Sequence, residues 1–265
     1  MAYLKGRDGI PNLQSQRFDV REKFFDKIDS QPLQWQGQPL IDQSTFDRNH
    51  ALHRPERGLD EATLWALATA KANRGERYGV EYALKHAKPA SVPEADPHAY
   101  VMIEEFYHTR ILKDALATLG LRMEIAKPSL SARVLVRAMV RLPDDIADVV
   151  VLCGEIVGVA IFGLLLEKGR ELFAAQPAVL GRIESLFAQI LVDEVGHVHF
   201  VRSRLSPRGI AWAKRLLPVI GRGVLDDIPE LQMLFGRETF RARVLAANVD
   251  AAAAPYPDRF VLETH

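Results

Sequence analysis

An apolar run from Val149 to Leu166 limits what this chain can fold into more than any other segment. The run is nearly long enough to cross a membrane. Glu155, however, is its one charged residue, and a charge in the middle of a membrane span is costly. A helix that is apolar on all sides is also typical of a protein core. The run therefore predicts a buried core helix, and we expect no membrane association.

The composition is that of a protein with one substantial core. The chain has 265 residues, of which 48% are hydrophobic, and this favours one domain with extensions. Its 34 basic and 34 acidic residues balance, so it lacks the basic excess typical of proteins that bind nucleic acid. Cys153 is the one cysteine, which excludes an intrachain disulfide. Because the N-terminal segment also lacks an apolar signal core, we expect a cytoplasmic protein.

Helix breakers divide the chain in a pattern that predicts an all-α fold. No stretch combines strand-like alternation with hairpin turns. A longer connection, residues 120–143, contains a short predicted helix at 132–142 and separates two pairs of long helices. Two long helices, a long connection and two more are typical of a four-helix bundle with one crossover. The long helices are predicted at residues 60–87, 98–119, 144–174 and 178–203.

Extensions are predicted on both sides of this bundle, which covers residues 59–204. Residues 1–58 are expected to wrap the bundle, with a short helix near 20–28, because their aromatic side chains need burial. Residues 205–265 are expected to be a C-terminal extension of the same domain, with one or two helices over 207–248. Basic residues surround a group of apolar ones over 202–222, so this segment either packs on its own domain or docks on a membrane or an acidic partner.

Two Glu-x-x-His motifs indicate a metal site. Glu105 and His108 lie within the second predicted helix, and Glu194 and His197 lie within the fourth. Residues three apart share a helix face, so each motif can offer a carboxylate and an imidazole to the same metal ion. Such short motifs also occur by chance. Their positions in the middle of two different long helices are what make them informative.

Glu155 strengthens this interpretation. Its helical neighbours are apolar, so an unpaired carboxylate there would be costly or would keep its proton. Metal binding explains it best, and a protonated or salt-bridged core glutamate is the alternative. Glu155 lies roughly 20 residues before the turn at Pro177 and Glu194 lies about 17 after it, which places the two at nearly the same level of the helices.

The first long helix offers three glutamates for the same site. Glu76 shares its helix face with small and apolar residues, whereas the face of Glu81 is charged and looks solvated. Glu61 stands at the start of the helix, far from the level of Glu105. We choose Glu76 as the ligand and keep Glu81 as the alternative.

These residues together resemble the ligand pattern of the ferritin-like non-haem di-iron carboxylate superfamily. That group includes ferritins, the ribonucleotide reductase small subunit, multicomponent monooxygenases and acyl desaturases. The resemblance covers about residues 60–203 and implies a ferritin-like four-helix bundle. It also implies two iron ions, or one manganese and one iron. The ligands that it implies are Glu76, Glu105, His108, Glu155, Glu194 and His197.

The resemblance also suggests residues that support the ligands. Asp193 precedes the second motif as in the family's Asp-Glu-x-x-His form, and it would hold His108 or His197. An ordinary surface aspartate is the alternative. Glu104 stands at the corresponding position before the first motif, where the family form has an aspartate, so its role is left open.

Three further residues lie near the ligands in sequence. Tyr78 and Tyr107 would be hydrogen-bond partners of the site or redox tyrosines, or else packing residues. His199 is five residues from Glu194 and faces a different side of the helix, so we expect a surface or hydrogen-bonded histidine rather than a ligand.

The implied function is that of an O2-dependent oxidase or oxygenase that acts on a small, largely apolar organic substrate. Gly154, Gly158 and Gly196 lie beside ligands and indicate space for O2 or substrate, or else close helix packing. Electrons would come from an external donor protein, because no flavin or nicotinamide motif occurs. The alternatives are a ferroxidase or iron-handling protein, and a non-catalytic helical interaction protein with a metal site. An oxidase or oxygenase would be a small oligomer such as a homodimer, whereas a ferroxidase would form a cage-like assembly.

Overall fold

The fold is built from helices. A computed structural model describes residues 23–30, 40–86, 97–125, 128–139 and 141–247. Within these ranges there are a helical segment at 23–30, nine further helices and no strand, which confirms the all-α class. The nine are α1 (Gln43–Ala51), α2 (Glu61–His86), α3 (Pro97–Thr118), α4 (Leu130–Met139), α5 (Asp144–Leu172), α6 (Pro177–Arg204), α7 (Pro207–Asp227), α8 (Pro229–Phe235) and α9 (Arg237–Leu245).

Local signals explain why the four long helices α2, α3, α5 and α6 begin and end within two residues of their predicted bounds. The Asp60 carboxylate caps α2 by accepting hydrogen bonds from the backbone N–H and the hydroxyl of Thr63, both at 2.8 Å. Pro143 and Pro177 stand at the starts of α5 and α6. Gly120 follows α3 with a φ of 79°, a left-handed conformation that favours glycine.

The C-terminal region differs from its prediction. One or two helices were expected over residues 207–248, and this is wrong because three occur there, α7, α8 and α9. Pro229 begins α8 directly after α7, since proline suits the first turn of a helix but not its interior. Gly236, with a φ of 77°, separates α8 from α9.

The four long helices pack in a closed order: α2 on α3, α3 on α6, α6 on α5 and α5 on α2. The start of α2 lies against the end of α5. There the Trp65 indole N–H donates to the Leu165 carbonyl at 2.7 Å, and Lys168 pairs with Glu61 at 3.3 Å. These two helices therefore run antiparallel.

The core between these helices is aromatic at the end that contains Trp65. The Trp65 side chain is fully buried, and it packs edge-on against Phe173 with ring centroids 5.3 Å apart. Phe187 lies 5.7 Å from Trp65 and 6.3 Å from Phe162. Such a packed aromatic group stabilises this end of the fold strongly, because replacing one of these rings by alanine typically costs about 3–5 kcal/mol.

Helix α5 is the helix that the apolar run predicts. Its length and composition would allow it to cross a membrane. In the fold, α2, α6 and α7 pack around it, and most of its apolar side chains are buried against them. It is thus a core helix among the described residues.

The C-terminal helices cover the outer side of the α2–α5 pair. Helix α7 packs on α5, α8 packs on α2, and α9 packs on both α7 and α5. Helix α7 buries Ala213, Gly221 and Leu225 and leaves Trp212 and Val219 mostly exposed. One face of the basic, apolar segment at 202–222 therefore packs on its own domain.

The segment at residues 23–30 packs on α3. The Phe25 side chain is buried, and its ring lies 5.5 Å from that of Tyr107 and 4.1 Å from the Arg110 guanidinium. Arg110 also pairs with Asp29 at 2.7 Å. The rest of the predicted N-terminal extension before residue 40, and the C-terminal tail after residue 247, lie outside the described residues.

Candidate metal centre

The four long helices bring four glutamates and two histidines together in the interior of the fold. Helix α2 contributes one glutamate, α3 a glutamate and a histidine, α5 a glutamate, and α6 a glutamate and a histidine. These are the six residues that the sequence predicts as ligands. We call them the Glu–His cluster: Glu76, Glu105, His108, Glu155, Glu194 and His197.

The Glu–His cluster consists of two overlapping groups of four residues. In each group, ligand atoms from all four residues lie within 4.8 Å of one another. One group contains Glu76 and His108, and the other contains Glu155 and His197. Glu105 and Glu194 belong to both groups. This arrangement could hold a metal ion.

The His108 side chain turns its Nδ1 atom toward the carboxylates of the first group. Nδ1 lies 3.3 Å from Glu194, 3.5 Å from Glu105 and 3.9 Å from Glu76, measured to the nearest carboxylate oxygen. Within the described part of the chain this buried nitrogen makes no hydrogen bond of acceptable geometry. A buried nitrogen that faces several carboxylates without a hydrogen bond is placed as a metal ligand would be.

His197 is placed in the same way in the second group. Its Nδ1 lies 2.8 Å from a Glu105 oxygen and 3.3 Å from a Glu155 oxygen. It too lacks a well-directed hydrogen bond among the residues described. The two histidine rings are 5.8 Å apart between centroids. Each histidine thus serves one of the two groups.

The outer nitrogens of both histidines meet buried carboxylates. His108 Nε2 lies 3.3 Å from Asp193 Oδ2, and His197 Nε2 lies 3.0 Å from Glu104 Oε2. Such partners orient metal-binding histidines and increase their basicity. Although burial alone would lower the pKa of each imidazole, the carboxylates around them, Glu105 among them, raise both pKa values well above the usual range.

The glutamates of the cluster lie in an environment that resists four negative charges. Burial raises the pKa of Glu194 to about 8. Burial, together with the Glu105 charge, also raises the pKa values of Glu76 and Glu155. The pKa of Glu105 itself lies well below its usual range, because its hydrogen bond with Glu76 and its attraction to His108 outweigh burial. Neighbouring carboxyls of this kind stay partly protonated unless cations neutralise them.

The other glutamates of α2 lie away from the cluster. Glu81 is exposed and pairs with Arg77 on the same helix at 2.5 Å. Glu61 pairs with Lys168 at the start of α2. The choice of Glu76 over Glu81 thus agrees with where the structure brings the three side chains.

The residues predicted to support the ligands differ in their surroundings. Asp193 faces His108, one of the two histidines considered for it. Tyr107 packs on Phe25, and Tyr78 is half-buried on α2, so a role for either tyrosine at the metal site stays a prediction. His199 is half-buried and belongs to neither group of potential ligands.

Glu104 is the residue whose function the sequence left open. Its carboxylate is buried and holds His197 as Asp193 holds His108. Both residues directly precede the glutamate of a Glu-x-x-His motif. This shared position in the motif is the sequence signal that could have identified Glu104 as the counterpart of Asp193, although the residue types differ.

Two glycines of α5, Gly154 and Gly158, have different surroundings. A Cβ atom at Gly158 would lie 2.6 Å from Glu194 Oε2, so this glycine makes room for a carboxylate of the cluster. A Cβ atom at Gly154 would meet nothing within 4 Å among the described residues. Close packing therefore accounts for Gly158, and open space surrounds Gly154.

That open space is a cavity of about 450 Å³ between α2, α5 and α7. Glu76 lines it, so the cavity reaches the Glu–His cluster. Most of its wall is apolar, with side chains from α5 and α7 such as Val157, Ile161, Phe162 and Val224. The sequence indicated space beside the ligands but gave no sign that α7 would form part of the wall.

Comparisons with protein-family models, with curated proteins and with solved structures found no match to this chain.

Proposed function

We propose that this protein is an O2-dependent di-iron oxidase or oxygenase with a ferritin-like four-helix bundle, acting on a small and largely apolar organic substrate. The observation that carries the proposal is the overlap of two ligand groups in Glu105 and Glu194. In di-iron carboxylate proteins, two helices each supply a glutamate and the other two each supply a Glu-x-x-His motif. The cluster has this composition and this division among helices.

The charge of the site favours two metal ions. The cluster contains four glutamates, and two divalent cations would neutralise their four negative charges. A single divalent ion would leave two buried carboxylates without compensation, which is unfavourable in the interior of a protein. The two histidines would bind as neutral imidazoles through the Nδ1 atoms that face the cluster.

The donor set suits iron and also manganese. Carboxylates and imidazoles bind both metals well, whereas thiolates would favour zinc or copper. Cys153 lies outside the cluster, and its thiol donates to the carbonyl of Ala213 instead. We propose two iron ions, with a manganese–iron pair as the alternative that metal analysis separates.

The residues around the cluster would prepare it for this chemistry. When bound, the iron ions supply the redox chemistry that reduces O2. Asp193 and Glu104 hold the histidine rings in the orientation that a metal needs. The largely apolar wall of the cavity lies on the side of the cluster that Glu76 faces, where an organic substrate would approach it.

The cavity favours an oxidase or oxygenase over a ferroxidase. A largely apolar space beside the cluster suits an organic molecule better than it suits a hydrated iron ion, which needs a polar path. The cavity also favours an oxidase or oxygenase over a non-catalytic helical protein, which needs no cavity at its metal site. Electrons would be supplied by a separate donor protein.

Metal analysis tests this proposal. The purified protein, loaded anaerobically with Fe²⁺ and freed of excess ion, should contain two iron ions per chain. Glu105→Ala removes a shared carboxylate and should reduce the content to less than one. Glu81→Ala is the matched control, because this exposed glutamate lies outside the cluster, and it should keep both ions.

Oxygen uptake then separates the functional alternatives. Once its own bound Fe²⁺ has been oxidised, the iron-loaded protein should consume further O2 only while a reductant is supplied, with no accumulation of iron oxide. Continued uptake with hundreds of Fe²⁺ ions per chain would instead indicate a ferroxidase. A protein that binds no iron, or that keeps two ions in the Glu105→Ala variant, would contradict the proposal.

A further inference from the structure

Four glycines from three helices line the cavity beside the Glu–His cluster. They are Gly75 on α2, Gly154 and Gly158 on α5, and Gly223 on α7. Glycine lowers the stability of a helix relative to alanine, so each of these positions is unfavourable for the helix itself. Because all four glycines line the same cavity, the reason for glycine at these positions should lie in the cavity itself.

Close packing explains only one of the four. At Gly158 an added Cβ would collide with the Glu194 carboxylate. At Gly75, Gly154 and Gly223 it would meet nothing within 4 Å in the described parts of the chain. The common effect of these three glycines is that they keep the cavity wide. All three glycines are exposed, so the cavity is open to solvent and a ligand can enter it.

One end of the cavity lies at the cluster. Glu76 is part of the wall, and Gly158, also part of the wall, lies directly against Glu194. A molecule in the cavity would therefore have one end close to both groups of metal-binding residues. A volume of about 450 Å³ is within the range of roughly 300–1,000 Å³ found for small-molecule sites.

The other end is charged but balanced. Lys71 and Asp227 line it. Lys71 precedes Glu76 on α2, and the two residues are about 7.5 Å apart along the helix axis. The buried ammonium of Lys71 pairs with Glu230 and donates to the carbonyl of His53 at 2.9 Å. This end therefore has no unbalanced buried ammonium that would attract an anionic ligand.

Asp227 has a cationic neighbour of its own. Burial lowers the pKa of the Arg74 guanidinium, and the charges of Asp227 and Glu230 oppose that shift. Two cations, Lys71 and Arg74, and two carboxylates, Asp227 and Glu230, thus interact near this end of the cavity, and Lys71 and Asp227 line it. Because these four charges sum to zero, a charged ligand would lose its hydration there without gaining a net opposite charge, which is unfavourable.

We infer that the cavity binds an uncharged organic molecule with an apolar chain or ring, one end of which lies beside Glu76 and Glu194. This molecule would be the substrate of the proposed oxidation, and in that respect the inference rests on the proposed function. Its binding does not require turnover. Charge and size thus define the class of ligand: neutral, mostly apolar and small enough for the cavity.

Isothermal titration calorimetry with octan-1-ol and octanoate tests this inference on the full-length protein. The two probes have the same chain length and differ in charge. Octan-1-ol should bind with one molecule per chain, and octanoate should bind at least tenfold more weakly. Octanoate binding as tightly as octan-1-ol, or no saturable binding of octan-1-ol, would overturn the inference.

Substitution of the glycines locates the site. The variants Gly75→Leu and Gly223→Leu each place a larger side chain in the cavity. The new Cβ atom would meet no described atom within 4 Å, so the helices need not move. Each variant should weaken octan-1-ol binding at least tenfold. Gly181→Leu is the control, because this exposed glycine of α6 also has open space around it but lies outside the cavity wall. Equal binding by all three variants would contradict the assignment.

Iron content distinguishes this inference from the proposed function. The Gly223→Leu variant should still bind two iron ions per chain, since α7 supplies no residue of the Glu–His cluster. If octan-1-ol binds as expected while the wild-type protein binds no iron, the cavity inference holds and the proposed function fails. If iron binds while octan-1-ol does not, the cavity inference fails and the proposed function holds.

Discussion

The Glu104 carboxylate lies 3.0 Å from His197 Nε2, so a residue of α3 orients a histidine of α6. The reverse contact is also present, because Asp193 of α6 lies 3.3 Å from His108 of α3. Each helix thus supports the histidine that its neighbour contributes to the Glu–His cluster. This exchange links the packing of α3 on α6 to the geometry of the candidate metal centre.

Removal of the Glu104 carboxylate should weaken metal binding without removing a ligand. In Glu104→Ala the His197 ring loses its partner and its fixed orientation, and the affinity for metal should fall by about 10- to 100-fold. Anaerobic titration with Co²⁺, followed by its absorption spectrum, measures the change. Glu104→Gln keeps a hydrogen-bond acceptor and should recover part of the affinity. An unchanged affinity in Glu104→Ala would contradict the orienting role.

A methyl group at position 158 should disturb the cluster directly. In Gly158→Ala the new Cβ would lie 2.6 Å from Glu194 Oε2, so the carboxylate has to move. The variant should hold less metal than the wild-type protein, as measured by metal analysis after loading with Fe²⁺.

Gly154→Ala is the matched control, one turn away on α5 and beside open space. It should keep its metal, and its helix should gain about 0.5–1 kcal/mol of stability because alanine favours helices. Thermal unfolding checks the second part. Equal metal content in the two variants would show that Glu194 tolerates the added methyl group.

Much of the architecture could be predicted because the signals are local. Asp60, Gly120, Pro143 and Pro177 determine helix ends through capping, backbone conformation and the missing proline N–H, and each acts within one turn of its own position. Helical periodicity likewise separated Glu76, on a small and apolar face, from the solvated Glu81. The geometry of a single helix was enough for these predictions.

The rest depends on how helices pack, which one helix does not determine. Glu104 meets His197 only because α3 and α6 lie at a particular rotation and distance. The contribution of Gly223 and Val224 to the cavity depends on how α7 docks on α5. The short helices after residue 207 were also miscounted, because Pro229 and Gly236 interrupt a segment whose apolar pattern continues.

The buried His50 should make stability depend on pH. Burial, with the charges of Arg74 and Lys71, lowers its pKa from 6.5 to about 4. Between these two values the unfolded chain binds a proton that the folded protein does not, so stability falls as the pH decreases from 6.5 to 4. The loss from this group is on the order of 3 kcal/mol.

Chemical unfolding at several pH values measures this effect by comparison with His50→Phe. Phenylalanine can keep the stacked contact with Phe46, whose ring lies 5.5 Å from the imidazole, but it cannot titrate. Other groups titrate in both proteins, so the difference between the two curves isolates His50. The variant should lose less stability below pH 6.5, and parallel curves would show that His50 does not contribute.

The buried pair of Lys71 and Glu230 should behave as a unit that attaches α8 to α2. Lys71→Met leaves the Glu230 carboxylate buried without its cation, and Glu230→Leu leaves the ammonium without its anion. Each single variant should lose about 3–5 kcal/mol of unfolding free energy. The double variant removes both charges and should lose clearly less than the sum, even though the His53 carbonyl also loses its donor. A double-mutant cycle by denaturant unfolding measures the coupling, and losses that simply add would mean that the two side chains do not stabilise each other.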